Sequence, residues 1–454
     1  MSTLHLTHAT LLATFDDAAR EIPDGGLIIE DGLITHLGPT AELPPPPPGA
    51  TTLDLTGHVV LPGLVNTHHH LFQTLTRALP AAQNHNLFNW LTTLYPIWQG
   101  ITPEHIYTSA QIGLAELVLS GCTTASDHQY LFPNGARLDD AIAAARSVGL
   151  RFHAARGSMS LGQSHGGLPP DSICENEDFI LADCERVISQ YHDPTPGSFL
   201  QILLAPCAPF NVTRQLMRAT AALARQHGLR LHTHLAETRD EEIYCLNNFG
   251  VRPFDYMADL GWAGPDVWYA HCVYINPTEI ARFAATGSGV AHCPSANMRL
   301  ASGIAPIPAM RQAGVTVGLG VDGSSSNDGG NLLAEARLAF LLARLGTGDS
   351  NSFTARDALH LATRGGAQIL GRTDIGQLAP GLCADLIAFD LNTLELAGAA
   401  PHDPLAALIF ASTIKPRHVF VGGRHLVNDY NFTPFDLAPV IATQNRLARA
   451  LTTP

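Results

Sequence analysis

The rhythm of apolar and polar positions changes twice along this chain. Residues 1–58 run as short apolar stretches broken by turn residues, a pattern that predicts β-structure. The clearest case is Leu27-Ile28-Ile29-Glu30-Asp31-Gly32-Leu33-Ile34-Thr35-His36-Leu37, two apolar runs about an Asp-Gly pair, which predicts a hairpin. Pro44 to Pro48 forms a polyproline connector, and 51–56 predicts one more short strand. From about 60 to about 370, short apolar runs alternate with segments of helical period. Strands are predicted at 59–66, 121–128, 151–155, 199–205, 229–234, 267–271, 290–293 and 315–321, with helices such as 107–119, 141–148, 212–227 and 277–286 between them. Eight such βα steps predict a parallel (β/α)8 TIM-type barrel. Beyond 370 the runs 384–390 and 417–423 are again strand-like, and 435–454 is helix-prone. The expected architecture is therefore α/β. A barrel spans 59–371, a small β-sandwich domain is formed from both chain termini (1–58 with 372–434), and 435–454 is a helical tail.

Composition narrows the function. The chain has 454 residues, 15% of them charged and 46% hydrophobic, as in a folded enzyme-sized protein. The net charge of −14, from 26 basic and 40 acidic residues, argues against a groove that tracks a nucleic-acid backbone. The first residues lack a charged segment followed by an apolar one, and no run of 18 apolar residues occurs, so neither secretion nor membrane insertion is expected. Eight scattered cysteines without a C-x-x-C pair exclude a disulfide framework or zinc ribbon and predict reduced thiols in the cytoplasm. The 22 histidines are the unusual number.

Several of those histidines fall where a barrel puts its chemistry, at strand C-termini. Leu61-Pro62-Gly63-Leu64-Val65-Asn66-Thr67-His68-His69-His70 carries an apolar strand into a histidine cluster. His68 and His70 share a face, and at roughly 3.3 Å rise per residue their side chains can close on one ion. His232 and His234 share a face at the end of the fifth strand, and His234, nearer the end, is the better third ligand. His271 ends the sixth strand and Asp322 follows the eighth. A His68-His70-His234-Asp322 set suits one Zn ion, with Fe(II) the alternative, and leaves a position for water. A dication there lowers the pKa of water toward ~7. Glu237, three residues past His234, is placed to collect the proton and pass it to a ring nitrogen and leaving group. His271 would orient or polarise the water, and Asp322 would accept a proton during attack. No lysine occurs in the fourth strand, so a carboxylated lysine bridging two metals is not available and one metal is expected. His232 is read as a satisfied core histidine or a support behind the ligands rather than a ligand, His128 and His153 as structural, Asp127 as a capping or barrel residue, and Cys122, Cys272 and Cys293 as small buried apolar groups.

Together these motifs resemble the amidohydrolase superfamily, and within it the chlorohydrolase/nucleobase deaminase branch. The resemblance rests on residues 62–70, His234-x-x-Glu237, Ala270-His271-Cys272, His292-Cys293-Pro294-Ser295-Ala296-Asn297, Gly320-Val321-Asp322-Gly323, 362–367 and 376–386, and it covers essentially the whole chain. It implies the same ligand set, Glu237 and His271 as catalytic groups, and hydrolytic loss of ammonia, amine or halide from an aromatic heterocycle. Residues 68–77, 84–91 and 120–128 are most similar to members that convert 8-oxoguanine to uric acid and ammonia. Hydroxyatrazine ethylaminohydrolases share much of this pattern, and guanine, isocytosine or cytosine deamination are further expectations within the class. Gln73 is the leading substrate-side residue, because its amide both donates and accepts. Cys207 stands where guanine deaminases carry an arginine-containing motif, which lowers plain guanine, and Trp90 and Trp98 are candidate pocket walls. The resemblance further implies a small heterocyclic substrate and a homo-oligomer. A hydantoinase-type cyclic amide hydrolase is disfavoured by the missing lysine. A nucleic-acid editing deaminase is excluded because Pro206-Cys207-Ala208-Pro209 lacks a second cysteine.

Overall fold

The structure is a computed structural model that describes residues 3–411 and 414–452. Its centre is a closed barrel of eight strands: Leu64–Asn66, Cys122–Gln129, Arg151–Ser158, Leu200–Pro206, Leu231–Leu235, Val267–His271, Gly289–His292 and Val317–Leu319. All neighbours are parallel, and Leu319 closes the ring against Asn66. Because helices cover the outside and side chains fill the inside, most strand positions are buried whichever way they point. Helix ends are marked locally. Asn176 and Thr213 cap Glu177–Tyr191 and Arg214–Gln226, Asn276 and Glu279 form a reciprocal capping box on Pro277–Thr286, and Gly149 closes Leu138–Val148 in the left-handed conformation.

The two termini build one nine-stranded sheet. Its order runs Asn431–Phe432, Arg424–Asn428, His418–Val421, Leu386–Asp390, His58–Pro62, Thr3–Ala13, Glu21–Glu30 and Leu33–Pro39, with Thr51–Asp54 also paired to Thr3–Ala13. The sheet rolls back on itself. Leu33 bridges Cys383, and the Ile34 amide donates to the Leu382 carbonyl at 2.9 Å. Leu6, Leu27, Ile29, Ile34, Val60, Leu386 and Phe420 fill the roll as a core of its own.

One sequence expectation is corrected here. The apolar run 59–65 is not one strand. His58–Pro62 pairs with Leu386–Asp390 in the terminal sheet, and the barrel strand begins only at Leu64. Gly63 is the handover. A Cβ at this position would lie 2.1 Å from Thr123 Cγ2, so the chain can pass from one sheet to the other only because no side chain is there. The Gly63 amide donates to Asp385 O on the terminal-sheet side, and the Leu64 amide to Gly121 O on the barrel side.

The same junction holds a buried ion pair. Arg151, at the base of the third barrel strand, donates through Nε and Nη2 to the two carboxylate oxygens of Asp385 at 2.8 and 3.0 Å, and Asp385 also accepts from the Gly422 amide. Both side chains are almost fully buried. The C-terminal helix, Leu437–Thr452, lies across Pro103–Leu119 and over the turn Leu71–Thr76, where Gln444 Nε2 donates to Thr74 Oγ1 at 3.0 Å. Among the described residues no helix is long and apolar enough to cross a membrane.

Removing one partner of the Arg151–Asp385 pair strands a charge in the interior, which costs about 3–5 kcal/mol. Arg151→Met or Asp385→Leu alone should lower the apparent unfolding midpoint in urea strongly. The double substitution should recover much of the loss, and equal losses from single and double variants would refute this account of the junction.

Candidate metal centre

The end of the first barrel strand delivers His68 and His70. A short parallel pairing of His69–His70 with Asp322–Gly323 brings Asp322 beside them, with the Asp322 amide donating to His68 O at 3.1 Å. His234 projects from the fifth strand and His271 from the end of the sixth, opposite Leu235 in register.

The outward nitrogens of these rings decide what the inward ones can do. His70 Nδ1 lies 2.7 Å from His128 O, and His234 Nδ1 lies 2.6 Å from Cys207 O. A carbonyl oxygen only accepts, so both nitrogens carry the proton and both Nε2 atoms are bare lone pairs. His232 Nδ1 likewise faces Trp268 O, at 3.0 Å, which leaves a bare His232 Nε2 against His68 Nδ1 at 2.7 Å. His68 therefore donates outward and is bare at Nε2. The bare atoms converge. His70 and His234 Nε2 are 3.0 Å apart, and Asp322 Oδ1 lies 3.1 Å from His68 Nε2 and 3.3 Å from His70 Nε2. Four acceptors facing one another in a buried site repel unless a cation stands among them. Three imidazole nitrogens and a carboxylate are a donor set that fits zinc. His232, expected to be a core or supporting histidine rather than a ligand, is the residue that sets the His68 tautomer. His128, expected to be structural, donates from Nε2 to Ala205 O at 2.7 Å, stacks on His234, and belongs to one of two histidine-rich groups among the described residues that are compact enough to hold an ion. The other group is His68, His234, His271 and Asp322.

The residues expected to handle protons surround this set. Glu237 Oε2 is 3.5 Å from His271 Nε2, and its Oε1 is buried without a partner. Burial, with the Asp322 charge adding to it, pushes the Glu237 carboxyl well above the usual range. Ser326 Oγ donates to Asp322 Oδ2 at 2.9 Å, and His271 Nδ1 meets Asn297 Oδ1 at 2.9 Å. Ala236, His271 and Asp322 all have left-handed backbone, with φ of 50°, 72° and 60°. Non-glycine residues there are strained, and the strain is held by neighbours. Glu241 accepts from the amides of Ala236 and Glu237 at 2.9 and 3.2 Å. Glu335 accepts from the Ser295 amide and from Asn327 Nδ2, and the Asn327 amide group also donates to Val321 O. Burial pushes both carboxyls up to about 7.

A cavity opens above these groups. Gln73, Trp90 and Cys207 line it together with His70, His234, Glu237, His271 and Asp322. Gln73 lies across Gly323, where a Cβ would fall 1.8 Å from Gln73 Oε1, and it accepts from the Ser325 amide at 3.3 Å. Trp90 Nε1 donates to Ser325 O, and burial pushes the Cys207 thiol up to about 12. Trp98 is not a wall. It is buried behind the cavity and donates to Thr76 Oγ1. Asp127 accepts from the Leu71 amide, and His153 packs near Arg372, away from the cluster. Tyr95, Tyr130, Phe210, Asn211, Leu300 and Ser326 also line the cavity. Sequence reasoning assigned none of them. Asn297, Glu241 and Glu335, which act on the catalytic loops from behind, were likewise unassigned, although Asn297 lies within a quoted motif.

Residues 59–426 match the model of the amidohydrolase family. The chain is 50% identical to an 8-oxoguanine deaminase of Pseudomonas aeruginosa, over 94% of this chain and 95% of that one. It is 40% identical to a hydroxydechloroatrazine ethylaminohydrolase of a Pseudomonas species, over 89% and 86%. Among solved structures, atrazine chlorohydrolase from Arthrobacter aurescens TC1, complexed with zinc, superposes with a TM-score of 0.94 at 35% identity, covering 98% of this chain and all of that one.

Metal analysis tests the site directly. The purified chain should carry about one divalent ion, and His234→Ala should lose it. His232→Phe, which touches no ligand position but removes the acceptor for His68 Nδ1, should weaken metal retention against a chelator by about 10–100-fold. Unchanged retention would show that His68 needs no such support.

Proposed function

The chain belongs to the amidohydrolase family, and on that premise we propose that it is a zinc-dependent hydrolytic deaminase of an oxopurine, converting 8-oxoguanine and water to uric acid and ammonia. The observation that carries this reading is the convergence of the bare His68, His70 and His234 nitrogens with Asp322 beneath a cavity that holds a buried, unpartnered Glu237 oxygen. The 8-oxoguanine deaminase relative and the zinc-bound neighbour support the choice of substrate and metal.

His68, His70, His234 and Asp322 would hold the ion, and zinc there supplies Lewis acidity that brings the pKa of water toward ~7. The rest is the work of side chains. Glu237, kept protonated more readily than an exposed carboxyl, can hand a proton to the ring nitrogen next to the attacked carbon and recover one from water. It then delivers a second to the departing amino group and, by way of Asp322, takes back the remaining proton of the attacking oxygen as the C=O forms, so that one C–N bond breaks, one C–O bond forms, ammonia leaves and Glu237 ends as it began. His271, fixed by Asn297, faces Glu237 and can orient the attacking oxygen. Asp322, held by Ser326, keeps one oxygen toward the ligand cluster. The apolar walls Leu87, Leu91, Phe210 and Leu300, with Trp90, shut bulk water away from these transfers.

Ammonia release by the zinc-loaded protein should be fastest with 8-oxoguanine in a panel with guanine, isocytosine, cytosine and hydroxyatrazine, with ethylamine followed for the last. Preference for the triazine would move the substrate while leaving the proton roles in place. Glu237→Gln should keep its metal and lower kcat by about 10²–10⁴-fold; metal loss in that variant would refute its role as proton carrier.

A further inference from the structure

The cavity has two polar stations. One is Gln73 with Tyr130, joined at 3.4 Å, on the segments that follow the first and second barrel strands. The other is Tyr95 with Asn211. Tyr95 comes from the helix Leu87–Trp98, and Asn211 from the loop after the fourth strand, three strands round the barrel from Gln73. Asn211 Nδ2 reaches Tyr95 Oη at 3.0 Å and Cys207 Sγ at 3.4 Å, while Asn211 Oδ1 has no partner. Both side chains are fully buried and both line the cavity. Neither hydrogen-bonds to the ligand cluster or to Glu237, so the catalytic geometry does not explain them.

Counting donors and acceptors shows what this pair offers. As placed, the mutual bond uses one amide hydrogen and one phenol lone pair, leaving Asn211 Oδ1 as an acceptor and the Tyr95 hydroxyl hydrogen as a donor. With the amide turned over, Tyr95 donates to Oδ1, leaving Nδ2 as a donor and a phenol lone pair as an acceptor. Either amide orientation leaves one donor and one acceptor side by side. That is the complement of a ring edge carrying N–H next to C=O. Burial holds the Tyr95 phenol protonated, so the donor persists at neutral pH. A buried polar atom left without a partner costs free energy, and a ligand that satisfies it is favoured for that reason.

We infer that Tyr95 and Asn211 read a lactam or cyclic-urea edge at the end of the substrate opposite the one held by Gln73 and Tyr130, which selects a fused two-ring oxo-heterocycle over a single ring. The inference rests on the deaminase reading above and adds the substrate feature that the cavity recognises. A bicyclic ring with a carbonyl at each end satisfies both stations, and a single pyrimidine or triazine ring satisfies one.

The test compares 8-oxoguanine with isocytosine, which keeps only the six-membered half. Tyr95→Phe and Asn211→Ser should each lower kcat/KM for 8-oxoguanine about tenfold, one lost hydrogen bond's worth, chiefly through KM. The same variants should leave isocytosine within about threefold, so that the ratio between the substrates collapses. Equal losses on both substrates, or none on either, would overturn the inference while leaving the deaminase reading intact. If the wild-type protein releases ammonia from neither, the deaminase reading fails, and equilibrium binding of uric acid then decides the pair's role. Weakening of about tenfold in both variants supports it. Unchanged binding, or no binding to the wild type, overturns it. Asn211→Ser serves as the independent variant should Tyr95→Phe fail to fold, since it shortens the side chain without adding bulk.

Discussion

The structure turns on where four histidines keep their protons. His70, His234 and His232 each give one to a barrel-strand or strand-end carbonyl, and His68 gives its own to His232. The carbonyls are fixed by the barrel, so the tautomers are fixed too. Every inward nitrogen is then a lone pair, and the centre is an electrostatic void that a dication fills. Asp322, drawn in by its pairing with His69, completes the set. The site is thus less a group of ligands placed on a scaffold than a direct reading of the scaffold's own hydrogen-bond directions.

Strain is concentrated at the same level of the barrel. Four residues at or beside the candidate site, Ala236, His271, Cys272 and Asp322, sit in left-handed backbone, and buried carboxylates grip two of those turns. Glu241 holds the Ala236–Glu237 amides, and Glu335 ties the loop after the seventh strand to the one after the eighth. Such grips limit how far a side chain's aim can drift, which proton transfer over hydrogen-bond distances requires.

Much of this was legible in the chain. The eight strands declared themselves because a parallel barrel buries both faces of each strand, giving short apolar runs with polar residues only at their ends. His68, His70 and His234 were visible because i and i+2 spacing on a strand is a local property. Tyr95, Asn211 and Tyr130 were not, since their roles come from loops that meet only in the folded molecule, and no spacing in the sequence links residue 95 to residue 211. His232 was legible as a partner to the site but not as the residue that sets a tautomer, which depends on the Trp268 carbonyl of the next strand. The run 59–65 misled because two buried strands in different sheets look like one when a glycine is all that separates them.

That glycine has a consequence for how the molecule is made. On one side of Gly63 the chain belongs to a strand whose partner, Leu386–Asp390, is synthesised only after all eight barrel strands. On the other side begins the strand that carries His68 and His70. During translation the barrel's first strand therefore precedes the other seven but has no anchored base until the segment beyond the eighth has left the ribosome. Arg151 waits as long for Asp385. Long-range pairings of this kind fold slowly and expose apolar strands meanwhile. A chain ending between residues 323 and 385 would keep His68, His70, His234 and Asp322 but lack the strand that anchors the base of the first barrel strand.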